Sequence, residues 1–249
     1  MMVGCGPTVD SNVPNVEITP NDIRITQADR TMMFDALVGR GVVEFRWKDD
    51  NGNHKEQGDM DFWKQGEAIS LRISKFGEPL MWFGGEHHSY WLFEMFDDET
   101  ILTIGGDNAL FSDIDIALVL LGLTSLPAGD MEVQDGIVTL TDAKGRMWTA
   151  SFDPTTYRPL EIQVIDGDRQ TSAVHHKGVR VEIADRHELY WPFTGGLIDI
   201  EDSRGTTSIK IVFSSLSTIV DEEPMDRVVS LPFLQKALKP SVINEEQRE

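Results

Sequence analysis

Six histidines are the side chains of this sequence best suited to hold a metal or move a proton. They stand as two adjacent pairs, His87-His88 and His175-His176, with His54 and His187 alone. Neighbouring side chains on a strand point to opposite faces, so a His-His dipeptide does not offer both rings to one ion. A zinc site would need the two pairs to converge, each nitrogen about 2.1 Å from the metal. Solvated turn or surface histidines are the simpler reading, and neither a metal nor a cofactor is expected. Asp97-Asp98-Glu99 and Glu222-Glu223 have the residue types of a glycosidase pair. Among 42 acidic residues such groupings arise by chance, and these flank apparent turns. A Gly-x-Ser-x-Gly elbow, a P-loop, a dinucleotide glycine fingerprint and a His-Glu-x-x-His helix are all missing. The expectation is a protein that is not an enzyme. An envelope hydrolase or metal protein using His87, His88, His175 or His176 is the farther alternative.

Composition narrows the partners. Lysine and arginine number 22 against those 42 acids, a formal net charge of −20 over 249 residues. No basic run offers the counterion release on which nucleic-acid binding depends, so no nucleic acid is expected as a partner. The longest apolar run, Ile116 to Leu123, falls well short of the ~20 residues that span a bilayer. Hydrophobic residues at 40 % suffice for a core. The single cysteine, Cys5, lies in Met2-Val3-Gly4-Cys5-Gly6, ahead of a polar stretch containing several prolines. Small and apolar residues before a cysteine, then a tether, resemble the end of a bacterial lipoprotein signal peptide, although Met2 departs from the usual leucine. In that pattern Cys5 is the lipid-modified residue and the rest of the signal lies upstream.

After the tether, Ile25, Ala28, Met32, Met33, Ala36 and Leu37 fall at helical spacing, with Gly39 as the stop. The period then changes to two. Val43, Phe45 and Trp47 alternate with Glu44 and Arg46, and an Asn51-Gly52 turn leads to a return strand over Gly58 to Gln65. Ile69, Leu71 and Ile73 interleave with Ser70, Arg72 and Ser74. Further strands follow near Leu80 to Phe83, Ser89 to Phe96 and Ile101 to Ile104, with Gly84-Gly85 read as a break. Leu110, Ile114, Ala117, Leu118 and Leu121 restore a helical stripe, begun by Asp113 and Asp115 and ended by Gly122. Strands resume from Ile137 to Phe213, for a total of about eleven. No fixed repeat and no Pro/Gly-rich linker divides them.

Aromatic residues crowd between Trp47 and Phe96, and they fall on both faces of consecutive strands. Both faces are therefore expected to be covered, one of them by helices or by a ligand. A curved sheet with few helices leaves an apolar hollow, and a hollow is a binding site by default.

Several segments, in this order, resemble the LolA/LolB type of lipoprotein carriers and receptors. They are the lipobox-like Cys5, a helix ending in Phe34-Asp35-Ala36-Leu37, the strand Val42-Val43-Glu44-Phe45, the Gly58-to-Trp63 strand, Ile69-Ser70-Leu71-Arg72-Ile73, Tyr90-Trp91-Leu92-Phe93, and Tyr157-Arg158-Pro159-Leu160-Glu161-Ile162 after the mid-chain helix. The likeness covers roughly residues 20 to 235 and has no catalytic motif to anchor it. It implies a mainly β, curved antiparallel half-barrel with an N-terminal helix and a short helical lid over Leu110 to Leu121. On that reading residues 1–20 are cysteine and tether, 21–239 a single half-barrel domain, and 240–249 a disordered tail. Phe45, Trp47, Phe62, Leu71, Trp82, Trp91, Phe93 and Leu118 are the expected cavity lining, chosen by strand alternation. The expected partners are acyl chains of lipids or lipoproteins, with a membrane reached through the lipid anchor on Cys5. Such a protein would work in the bacterial envelope, facing the periplasm. The near alternative is an envelope protein-interaction module with a filled core.

Overall fold

The computed structural model describes residues 18–49, 52–87, 89–96, 99–105, 113–183, 186–203 and 207–246. The chain opens with helix α1 (Pro20–Met33), capped by the Thr19 side chain, which accepts from the Asp22 N–H. A meander follows: β1 (Ala36–Asp49), β2 (Gly52–Gln65), β3 (Ala68–Lys75), β4 (Glu78–Glu86), β5 (Ser89–Phe96) and β6 (Glu99–Gly105). Helix α2 (Ile114–Leu120) interrupts the sheet. Then come β7 (Gly129–Gln134), β8 (Ile137–Asp142), β9 (Met147–Phe152), β10 (Pro159–Asp166), β11 (Arg169–Ile183), β12 (Arg186–Asp202) and β13 (Thr207–Ser217). Helices α3 (Glu222–Val228) and α4 (Leu231–Leu238) and strand β14 (Val242–Glu246) complete the described chain.

Among the described residues fourteen strands belong to one open sheet, ordered β14-β6-β5-β4-β3-β2-β1-β13-β12-β11-β10-β9-β8-β7. Its ladders are antiparallel except β14 on β6 and a short β11–β13 contact. The mainly β half-barrel reading holds, with fourteen strands in place of about eleven. The count rises partly because β7 and β14, absent from the sequence reading, are strands. Val242–Glu246 is one of the two, within the segment read as a disordered tail, and it pairs with Ile101–Gly105. Gly84 and Gly85 do not break β4. Strand β4 runs through both, and a Cβ on Gly84 would lie 2.7 Å from the Trp91 ring, so the glycine makes room for the indole on the next strand.

Alternation divides the side chains between two faces. The inner face carries the main cluster, with Val43, Phe62, Leu71, Phe83, Trp148, Ile162, Ile200 and Ile211 buried beneath α1 and α2. On the outer face Trp82, Trp91, Phe93 and Leu102 form a second cluster with Leu234 of α4, and Leu231 and Leu238 pack against it.

Helix α1 differs from its sequence reading. It ends at Met33, and Ala36 and Leu37 already belong to β1. Its buried residues are Ile23, Gln27 and Arg30, whereas Ile25 and Met32 are 54 % and 71 % exposed. The inward stripe is polar because the groups it meets are polar. Gln27 Oε1 accepts from the Leu126 N–H at 3.1 Å, and Thr31 Oγ1 hydrogen-bonds Ser125 at 3.1 Å. Helix α2 occupies the expected lid segment, while Leu110 to Ser112 lie outside the described residues.

Candidate functional site

The site is built where α1 and α2 cover the inner face. Asp113 caps α2 by accepting from the Ile116 N–H, and Ile114, Ala117, Leu118, Val119 and Leu120 of the helix are buried. After Leu121, Gly122 takes φ +68°, and the Leu123 N–H donates back to the Leu118 carbonyl at 2.9 Å. An apolar helix is thus laid over an apolar sheet face. Its two ends are fastened by polar contacts.

At the N-terminal end Asp113 also pairs with Arg146, Nη1 to Oδ2 at 3.0 Å. Arg146 Nε meets Asp142 Oδ2 at 2.7 Å, and Trp148 Nε1–H donates to the same oxygen at 3.0 Å. Burial pushes the Asp142 carboxyl up, but the bonds from Trp148 and Arg146 outweigh it and hold the group below the usual carboxylate range. His87 Nδ1 lies 2.9 Å from Glu67 and 3.6 Å from Asp115 in the first turn of α2. At the C-terminal end the His175 Nε2–H donates to the Leu120 carbonyl at 2.9 Å. Burial is the main reason that His175 is pushed down to about 3, with Arg158, Arg30 and His176 adding to it against the Leu120 bond. The ring is therefore neutral.

A cleft of about 570 Å³ opens beside the clamped end of α2. Leu118 and Val119 form part of its wall, with Thr31, Lys64, Ser125 and Arg146. Lys64 is almost fully buried, and its ammonium donates to the carbonyls of Phe34 (2.9 Å) and Gly66 (2.6 Å). Burial lowers its pKa, opposed by Asp35 and Glu67. A second cleft, about 610 Å³, lies at the other end of β2, where Trp47 stacks on His54 with ring centroids 5.0 Å apart.

The structure separates the eight expected lining residues. Phe62, Leu71 and Leu118 are buried in the inner cluster, and Phe45 packs against it, 6.2 Å edge-on from Phe83. Trp47 sits at the rim, in the second cleft. Trp82, Trp91 and Phe93 belong to the outer face under α4, away from the lid. Trp82 and Trp91 occupy strand positions one residue out of phase with Phe83 and Leu92, which face inward, and that parity turns them to the far side. Cys5 lies outside the described residues. Of the histidines, His175 points inward and His176 outward to Asp199 at 2.8 Å, as adjacent strand residues must. His88 lies outside the described residues, as do Asp97 and Asp98. Among the described residues no group of three or more His, Cys, Asp or Glu side chains could hold a metal ion. Arg30, Lys64 and Arg146 were missed as members of a site, and His175 was considered only for the metal or hydrolase alternative. The only sequence signal for Arg30 is its i+7 spacing from Ile23.

The sequence matches no protein-family model and no curated protein. Solved structures do match. A LolA superfamily protein from Nitrosomonas europaea aligns over 88 % of this chain and 100 % of its own, with TM-score 0.53 at 9 % identity. The fold is that of the LolA superfamily. A putative outer membrane lipoprotein-sorting protein domain from Vibrio parahaemolyticus shares it over 82 % of this chain and 95 % of its own, with TM-score 0.50 at 10 % identity. A DUF1329 family protein from Desulfovibrio piger aligns over 82 % and 96 %, with TM-score 0.51 at 10 % identity. In this LolA-like fold α1 and α2 lie over the inner face, and no described helix is long and apolar enough to cross a membrane.

Proposed function

We propose that this protein is a non-catalytic component of the bacterial envelope that takes up acyl chains of lipids or lipoproteins between the inner sheet face and α2. The observation that carries the reading is the construction of the lid. Helix α2 buries an apolar side on an apolar sheet, yet it is fastened by a few polar contacts at its two ends, beside an open cleft. Displacing such a helix exposes a continuous apolar surface, and an acyl chain replaces the lost contacts at about 0.8 kcal/mol per buried CH₂. Phe45, Phe62, Leu71 and Leu118 line that surface, with Trp47 at its rim. The shared fold with a lipoprotein-sorting protein domain supports the same reading. A lipid on Cys5 would hold the protein at a membrane, which suits an acceptor in lipid or lipoprotein transfer.

The test is native mass spectrometry with lipid extraction, followed by titration with a fluorescent fatty-acid analogue. Co-purified lipid and saturable uptake are expected, with uptake at least tenfold weaker in Leu118→Asp. A bare mass and no uptake would favour the rival reading, a filled interior serving a protein partner. Near-complete burial of Phe62, Leu71 and Leu118 in the closed form is the observation on that side.

A further inference from the structure

Arg30 is 2 % exposed. Among the described residues neither Arg30 nor Arg158 enters an ion pair, in a chain where acids outnumber bases 42 to 22. Arg30 spends one Nη2–H on the Tyr157 carbonyl at 2.9 Å, and its Nε–H has no partner. Arg158 spends one Nη1–H on the His175 carbonyl at 2.9 Å. Asp153 is near enough for Arg158 to lower its pKa, but its Oδ1 accepts from the Thr155 N–H and from the N–H and hydroxyl of Thr156. His175 completes the group. Its Nε2–H is committed to Leu120, and its buried Nδ1 also has no partner.

Helix α1, the 153–158 loop, strand β11 and the end of the lid thus bring two guanidiniums and an imidazole together at the inner face. A buried cation without a counter-ion keeps most of its desolvation penalty. An anion arriving there meets Arg30 Nε–H and the free donors of Arg158, in a setting where charge-assisted bonds are strong.

We propose that Arg30 and Arg158 form an anion subsite at the C-terminal end of the lid, which takes the carboxylate or phosphate head of an amphiphile whose chain lies along the inner face. This rests on the acyl-binding reading and deepens it. The location is local: the net charge of −20 repels anions at a distance, so selection happens only inside. His175 shapes the subsite without sharing the charge. Its Nε2–H is spent on Leu120, and Nδ1 of the neutral ring is a bare lone pair that offers an anion no hydrogen. The groups facing the ring are Arg30 of α1, Arg158 of the 153–158 loop, His176 of its own strand and the Leu120 carbonyl of α2. A bound anion offsets the first three but leaves the burial that is the main cause of the low pKa, so the ring stays neutral near pH 7.

The experiment compares decanoate, decanol and acetate by calorimetry on the whole chain, as wild type and as Arg30→Gln, Arg158→Gln and His175→Gln. Melting curves accompany each variant, and Arg158, only partly buried, serves as the variant least able to unfold the protein. Wild type is expected to prefer decanoate over decanol by about tenfold or more. Arg30→Gln and Arg158→Gln are expected to erase that preference while decanol affinity moves less than about twofold. Decanoate affinity is expected to hold within about twofold between pH 8 and pH 6, in wild type and in His175→Gln alike. Equal affinity for decanoate and decanol in wild type, or a preference that survives both arginine variants, overturns the subsite. If acetate binds at the arginines as well as decanoate does, the anion site stands and the acyl reading fails. If decanol binds and decanoate gains nothing, the acyl reading stands and the subsite falls. If none of the three binds, both fall.

Discussion

The two faces of the sheet are covered by helices in opposite ways. Under α4 the outer face is an apolar cluster of Trp82, Trp91, Phe93, Leu102 and Leu234. Its polar contacts are few, one buried and one toward the surface. Arg72 lies over Trp63 and Trp82 at 5.6 and 5.4 Å from their ring centres and pairs with Asp61, and Trp82 Nε1–H donates to Ser70 Oγ. The inner face is larger, and its cover includes buried Gln27, Arg30, Lys64, Asp142, Arg146 and His175. Apolar packing favours the closed state without an alternative. Polar fastenings can be exchanged for water or for a ligand at a modest difference in free energy. The outer pair of helices therefore belongs to the scaffold, and the inner pair has the makeup of a part that opens.

The sharpest way to break this contrast is to cut one large aromatic from each face. Phe93→Ala and Phe62→Ala should each cost about 3–5 kcal/mol in urea unfolding. Only Phe62→Ala should weaken uptake of a fatty-acid analogue, measured where both variants are folded. Equal loss of uptake in Phe93→Ala would end the division of labour. Arg146→Met comes next. It leaves Asp142 and Asp113 without their buried partner, at about 3 kcal/mol. Hydrogen exchange should quicken in α2 before it does in α4.

The pH prediction follows from His175. Its ring titrates near 3 when folded and near 6.5 when free, so between those values the unfolded chain holds the extra proton. Stability should fall as pH drops from 6.5 toward 3, with a contribution of up to about 1.4 kcal/mol per pH unit from this ring. Difference curves between wild type and His175→Gln isolate it. Asp142 acts in a lower window: its depressed carboxyl stabilises the fold above its ordinary value of 3.8, and that contribution is lost as pH falls below it. The smallest effect should be Arg72→Ala on the outer face. A pair that is 38 % and 27 % exposed, with two cation–π contacts, should be worth no more than about 1 kcal/mol in a melting curve.

Strand order and alternation were legible because an open meander keeps sequence neighbours as spatial neighbours. Ile69, Leu71 and Ile73 point inward as their period of two requires. The lid helix was legible from Ile114, Ala117, Leu118 and Leu121. What failed was the choice of face. Trp82, Trp91 and Phe93 were grouped with Phe62 because size and apolarity are the same on both sides, and only the register Leu71↔Phe83 and Arg72↔Trp82 separates them. Helix α1 was read by its apolar spacing, and the exposed Ile25 and Met32 misdirected it. Its true inward stripe contains Gln27 and Arg30, residues whose partners lie 99 and 127 positions away. Helix α4 left a trace in Leu231, Leu234 and Leu238, but Pro232 within so short a run obscured it.

A sheet that never closes on itself keeps two borders, and a border left bare is a template onto which another chain could hydrogen-bond. The border at β6 is occupied by the chain's own Val242–Glu246, anchored where Ser241 N–H and Oγ–H both donate to the Thr100 carbonyl. The border at β7 is guarded differently: Asp130 and Glu132 alternate along it, and Arg24 of α1 donates to the Gly129 carbonyl at 2.6 Å. Freed of its last strand, the protein would present Glu99–Gly105 as a sticky rim, and it would be expected to associate edge to edge long before its interior came apart.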